Sequence, residues 1–221
     1  MPNPINEFII QGKRPLPVIV AVDRSGSMSD NGKIQALNLA LNEFLSSLKN
    51  EDAGRAELQI AIFSFGDASA SFDQPLVPVS QIQGVAYSAS GGTPMGDVFQ
   101  KIKALIEDTA AIPHRAYKPS IVLLTDGQPT DEYVQPLAAL VNEGRSAKAF
   151  RIAMAIGEDA DRNMLAKFVS SPEYLVTSAD ARDIKRFFQF VTMSVTQRLK
   201  SQSPNAPQPL LPSAGGQTIS F

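Results

Sequence analysis

Two aspartates and three hydroxyl residues form a chemically uniform set in this 221-residue sequence. Asp23, Ser25 and Ser27 lie in Asp23-Arg24-Ser25-Gly26-Ser27, Thr93 in Gly91-Gly92-Thr93-Pro94, and Asp126 in Thr125-Asp126-Gly127. Carboxylates and hydroxyls are hard oxygen donors, which suit Mg²⁺, Mn²⁺ or Ca²⁺ rather than Zn²⁺ or Cu²⁺. In an Asp-x-Ser-x-Ser loop the intervening residues let the chain curl, so that alternate side chains can point inward. Gly26 tolerates the backbone angles such a curl demands. Each residue alone has a plainer reading, because Asp and Ser are common in turns and caps. Only the set of five points to a metal.

Other chemistries fall away on composition. There is no Cys and a single His, which excludes thiolate zinc sites, disulfide scaffolds, Cys nucleophiles and a multi-His site within one chain. Twenty Lys and Arg against 22 Asp and Glu give a net charge of -2, which argues against a broad electrostatic grip on nucleic acid. No apolar run approaches the roughly 20 residues that span a bilayer. Residues 1–17 carry only the apolar patch Phe8-Ile9-Ile10 and lack the pattern of a secretory signal. A cytoplasmic protein is expected.

The elements that must position the five residues can be read from the apolar pattern. Val18 to Val22 is a nearly continuous apolar run after Pro15 and Pro17, and reads as a buried strand. Ile34, Leu37, Leu41, Phe44, Leu45 and Leu48 recur at helical spacing, with Ser29, Asp30 and Asn31 offering capping oxygens before them. Leu58 to Phe65 is a second strand. Ser69 to Val79 is an edge segment, because Pro75 and Pro78 do not suit a central strand. A helix is expected from Met95 to Ile106, with Thr93 as its N-cap and Pro94 at its first position. Strands follow at 121–124, 150–156 and 174–176. Helices follow at 132–146, where Asp131 and Glu132 suit the first turn, at 162–169 and at 180–200, the last marked by Ile184, Phe187, Phe188, Val191 and Val195.

This alternation predicts an α/β fold: a doubly wound, mostly parallel central sheet with one antiparallel edge strand and helices on both faces. Ligands of such sheets bind beyond the carboxyl ends of the strands, where Asp23 and Asp126 fall. Three parts are expected: a lead-in over 1–15, the domain over 16–200, and a flexible Pro/Ser/Gln-rich tail over 201–221.

At the five polar residues the sequence resembles the von Willebrand factor A (VWA) family, whose metal-ion-dependent adhesion site (MIDAS) uses Asp-x-Ser-x-Ser, a distant Thr and a distant Asp. Within that family, Asp-Arg-Ser-Gly-Ser-Met and Gly-Gly-Thr-Pro-Met-Gly are similar to the bacterial TerY-like branch, which is associated with tellurium-resistance gene clusters and phosphorylation-signalling partners. The resemblance implies that Ser25, Ser27 and Thr93 bind Mg²⁺ (or Mn²⁺ or Ca²⁺) through their hydroxyls, with Asp23 and Asp126 holding it directly or through water. It implies a binding module rather than an enzyme: a protein partner, such as a kinase, phosphatase or other stress-operon product, presents Asp or Glu to the metal.

The enzymatic alternative is a Mg²⁺-dependent phosphatase or phosphotransferase of haloacid-dehalogenase type. Such enzymes also end a first strand in Asp, but they need a second carboxylate where Ser25 stands, and no lysine can be placed at the rim. Gly26 to Lys33 has five residues between its glycines and Ile34 after its lysine, so it is not a P-loop. A serine hydrolase lacks its G-x-S-x-G elbow. Arg24, between two candidate ligands, should point away from them, toward a partner's acidic group or solvent.

Overall fold

A computed structural model describes residues 12–51 and 56–206 of the chain. Phe8 to Ile10 and residues 207–221 of the expected tail lie outside the described residues. The elements run β1 (Arg14–Asp23), α1 (Lys33–Lys49), β2 (Ala56–Gly66), β3 (Ser69–Pro78), α2 (Met95–Glu107), β4 (Ser120–Thr125), α3 (Val134–Asn142), β5 (Phe150–Ile156), α4 (Arg162–Phe168), β6 (Leu175–Ser178) and α5 (Asp183–Lys200).

The strands form one sheet in the order β3-β2-β1-β4-β5-β6. All neighbours are parallel except β2 and β3, which pair antiparallel. This is the doubly wound sheet expected from the sequence. β1 and β4 are central, and every residue of both from Val18 onward is buried, which explains their continuous apolar runs. β3, with Pro75 and Pro78, is the antiparallel edge. β1 begins earlier than its apolar run suggests and includes both prolines. β4 pairs with β1 only from Val18, so Pro15 and Pro17 lie where β1 lacks that neighbour.

α1 and α5 pack together in one helical layer, with Phe44 and Phe188 rings 5.2 Å apart. α2 packs with α3, and its Phe99 stacks on Phe168 of α4 at 5.7 Å. The aliphatic stripe of α1 is buried as its spacing predicts. Among the described residues, no helix is long and apolar enough to cross a membrane.

Several end signals resolve differently. Ser29, Asp30 and Asn31 do not cap α1. They belong to a 3-10 turn over Gly26–Gly32, and α1 starts after Asn31 and Gly32 take left-handed angles (φ 52° and 72°). Thr93 does not cap α2. The Asp131 carboxylate, arriving from the segment after β4, accepts the Gly96 and Asp97 amides at 2.8 and 2.9 Å, so Asp131 is not a first-turn residue of its own helix. α3 is shorter than expected, since Gly144 (φ 63°) turns the chain into a separate 3-10 turn at Ser146–Lys148. At the far pole, Arg198 donates to the Pro204 carbonyl and the Asn205 carboxamide oxygen accepts the Lys118 amide, so the first residues after α5 are held against the domain.

Candidate metal-ion site

The chain passes from β1 to β2 and β3 on one side, then crosses back to β4, β5 and β6 on the other. The gap beyond β1 and β4 is therefore the switch point of the sheet, where ligands of such folds bind. β1 delivers Asp23 to this gap and β4 delivers Thr125, followed by Asp126.

Asp23 is fully buried. One of its oxygens accepts the Ser25 amide at 2.7 Å, and the other accepts the Thr125 hydroxyl at 2.5 Å. Burial pushes its carboxyl up to about 6; the bonds from Ser25 and Thr125 oppose that shift, and the Asp126 charge adds to it. The hydrogen bond that the Ser25 amide donates to Asp23 helps curl the chain into the 3-10 turn, whose Met28 is buried. The curl brings the Ser25 and Ser27 hydroxyls to 3.1 Å. Ser27 then donates to Asp126 Oδ1 at 2.7 Å across 99 residues of sequence. Lys33 Nζ, the first residue of α1, holds Asp126 Oδ2 at 2.6 Å.

Thr93 arrives on a loop tied down at several points. Gly26 donates its amide to the Gly91 carbonyl at 2.9 Å, and Ser90 donates its amide to the Arg24 carbonyl at 2.8 Å. Thr93 itself exchanges bonds with Thr130, amide to hydroxyl at 2.9 Å and carbonyl to amide at 3.0 Å. Gly91 has φ 70°, and a Cβ there would fall 2.1 Å from the Asp67 backbone, so only glycine fits this crossing. Arg24 turns away from the five donors, toward the crossing loop of its own domain. Its guanidinium bridges Asp67 Oδ2 and Ser90 Oγ, both at 3.0 Å, and pins the same loop.

Gly127 shows where these segments meet. A Cβ on Gly127 would stand 3.1 Å from Thr93 Oγ1, 3.7 Å from Ser27 Oγ and 3.9 Å from Asp23 Oδ2. Three oxygens from three distant stretches thus surround one point, with Ser25 and Asp126 bonded to Ser27. All five sequence-predicted residues come together. Asp23, Ser25, Thr93 and Asp126 are buried and Ser27 is exposed, so the cluster opens outward at the serine turn. The donor set is all oxygen, with two carboxylates and no nitrogen or sulfur ligand, and fits a hard divalent cation. Among the described residues, no group of three or more His, Cys, Asp or Glu gathers in one place, so a metal here would depend on the hydroxyls as well as on the two carboxylates.

Sequence reasoning missed four contributors. Thr125 secures Asp23, Gly127 leaves the central space, Thr130 secures Thr93, and Lys33 neutralises Asp126. Lys33 also supplies a rim lysine of the kind the dehalogenase-type alternative needs, but Ser25 still occupies the position of its second acid.

The sequence matches the von Willebrand factor type A domain family over residues 18–190. The chain belongs to this family. No curated protein matches the VWA chain. Among solved structures, it is similar to proximal thread matrix protein 1 from the mussel byssus, with 21% identity and a TM-score of 0.63 over 83% of this chain and 47% of that one. A form of the same mussel protein with a zinc-occupied MIDAS motif matches at 14% identity and a TM-score of 0.58, over 81% and 48%. A von Willebrand factor type A protein from Catenulispora acidiphila matches at 20% identity and 0.62, over 83% and 43%. These likenesses are of fold, and this chain spans about half the length of those structures. None of them supports the dehalogenase-type alternative.

Proposed function

We propose that this VWA domain binds a protein partner through a divalent cation, Mg²⁺ with Mn²⁺ and Ca²⁺ as close substitutes, held by Asp23, Ser25, Ser27, Thr93 and Asp126. The convergence of Thr93, Ser27 and Asp23 oxygens around the space beside Gly127 carries this reading. Asp23 is oriented by Thr125 and the Ser25 amide, Asp126 by Ser27 and Lys33, and Thr93 by Thr130, so the donors are preset rather than assembled on binding. The bound cation would supply an open coordination position for a carboxylate from the partner's Asp or Glu. The zinc-occupied MIDAS of the mussel protein supports a divalent ion in this fold.

The site is read as binding and not catalysis, since no second carboxylate stands where a phosphotransferase needs its acid. A stress setting, linked to tellurium resistance or phosphorylation signalling through a kinase or phosphatase partner, is supported by the Asp-Arg-Ser-Gly-Ser-Met and Gly-Gly-Thr-Pro-Met-Gly text alone. Titration calorimetry tests the site: Mg²⁺ or Mn²⁺ binds the wild type, and Asp23→Ala abolishes binding while the circular dichroism spectrum is retained. Equal binding by both proteins, or metal-dependent phosphate-ester hydrolysis that tracks Asp23, would overturn the proposal.

A further inference from the structure

The fixed charges around the site fall one short of balancing a divalent cation. Asp23 and Asp126 contribute two negative charges, but Lys33 places an ammonium 2.6 Å from Asp126 Oδ2. The Asp126 side chain of this pair is 0% exposed and that of Lys33 15%. The lysine is a feature of the site and not a passing surface contact. Its backbone is aimed there by the left-handed residues Asn31 and Gly32, which turn the chain between the serine turn and α1.

Two consequences follow from this placement. Asp126 has one oxygen committed to Lys33 and the other to Ser27, so only the Ser27 side of the carboxylate faces the remaining donors. Further, the three protein charges sum to minus one, so a divalent ion bound among them leaves the site with one net positive charge. Such a site attracts the metal less strongly than two bare carboxylates would, and once loaded it attracts an anion.

We propose that Lys33 is a built-in counter-cation that weakens the site's hold on the metal and strengthens its hold on an acidic partner group. The proposal rests on the metal-site reading above. A purely structural role for Lys33, neutralising a buried carboxylate, predicts only that its loss lowers stability. The counter-cation role predicts opposite signs for the two ligands. Loss of the positive charge favours the metal and disfavours the carboxylate.

The test uses Lys33→Met, with Lys33→Gln as a neutral variant that keeps an N–H for Asp126 and Lys33→Arg as the charge-retaining control. Mn²⁺ affinity is read by electron paramagnetic resonance of the free ion. Acetate, as the carboxylate probe, is titrated into the Mn²⁺-loaded protein and followed by water-proton relaxation. A unit charge a few ångströms away in a partly screened site is expected to alter metal affinity by about tenfold. The expected result is therefore about tenfold tighter Mn²⁺ and weaker acetate in both neutral variants, with Lys33→Arg close to wild type. Unchanged or weaker Mn²⁺ binding in folded neutral variants, or acetate binding that does not fall, overturns the counter-cation role while the metal site stands. Absence of Mn²⁺ binding to the wild type overturns both.

Discussion

Gly127→Ala probes the space at the centre of the site without removing a single donor atom. Gly127 is buried and does not have a positive φ, so alanine fits its backbone. The added methyl would lie 3.1 Å from Thr93 Oγ1, 3.7 Å from Ser27 Oγ and 3.9 Å from Asp23 Oδ2. Cation–oxygen distances for Mg²⁺ and Ca²⁺ are about 2.0–2.6 Å, so an ion shared by these oxygens would need the volume that the methyl takes. For the metal-free fold, a compatible Gly→Ala change gains about 0.4–1 kcal/mol from a stiffer unfolded chain. The tight contact with Thr93 opposes that gain, and the melting temperature should move little. Metal affinity should fall by about 100-fold, which corresponds to about 3 kcal/mol. Calorimetry with Mn²⁺, paired with thermal melts in EDTA, separates the two effects. A Gly127→Ala protein that binds Mn²⁺ as the wild type does would show that the ion does not use this space.

The remaining predictions concern charge and loop anchoring. Burial raises the Asp23 carboxyl to about 6 from its usual 3.8, so the metal-free folded state takes up a proton that the unfolded chain does not between those values. Metal-free stability should therefore decline as pH rises from about 3.8 to about 6, by up to about 3 kcal/mol in all and by about 1 kcal/mol between pH 5 and 7.5, while Mg²⁺ affinity rises as pH climbs toward about 6 because the cation needs the carboxylate form; melts with and without Mg²⁺ at pH 5 and 7.5 check both signs, and metal-free stability that does not fall, or a metal-induced stabilisation that is larger at pH 5, would refute them. Arg24→Ala removes the bridge from the β1 end to Asp67 and Ser90 and should weaken Mn²⁺ binding several-fold by loosening the loop that carries Thr93, with only a small fall in melting temperature. Wild-type Mn²⁺ affinity in that variant would mean that the backbone bonds of Gly26, Ser90 and Gly92 hold the loop alone.

The sequence was most informative where burial alone decides structure. Val18 to Val22 and Ile121 to Leu124 are continuous apolar runs because β1 and β4 are covered on both faces, and Pro75 and Pro78 could stand only on an edge. Helix ends were less legible, because a hydroxyl near a helix start has more than one possible partner. Thr93 turns its oxygen to the space beside Gly127, and the distant Asp131 caps α2 in its place. The five donors could be picked out by type and order, whereas their meeting depends on the β1–β4 pairing and the crossing loop. Lys33, Thr125 and Gly127 carry no local mark of their role. Lys33 reads as an ordinary first-turn lysine until the 3-10 turn folds it back onto Asp126. Arg24 finds Asp67 only because β2 lies beside β1.

The position of the ion is the most direct test of the central claim. Crystals grown with Mn²⁺ and measured at a wavelength where manganese scatters anomalously should show one strong peak bounded by the Ser25, Ser27 and Thr93 hydroxyls, beside Gly127. A map with no peak there, or with its peak in the neighbouring concavity lined by Gln128, Glu158 and Asp161, would contradict it.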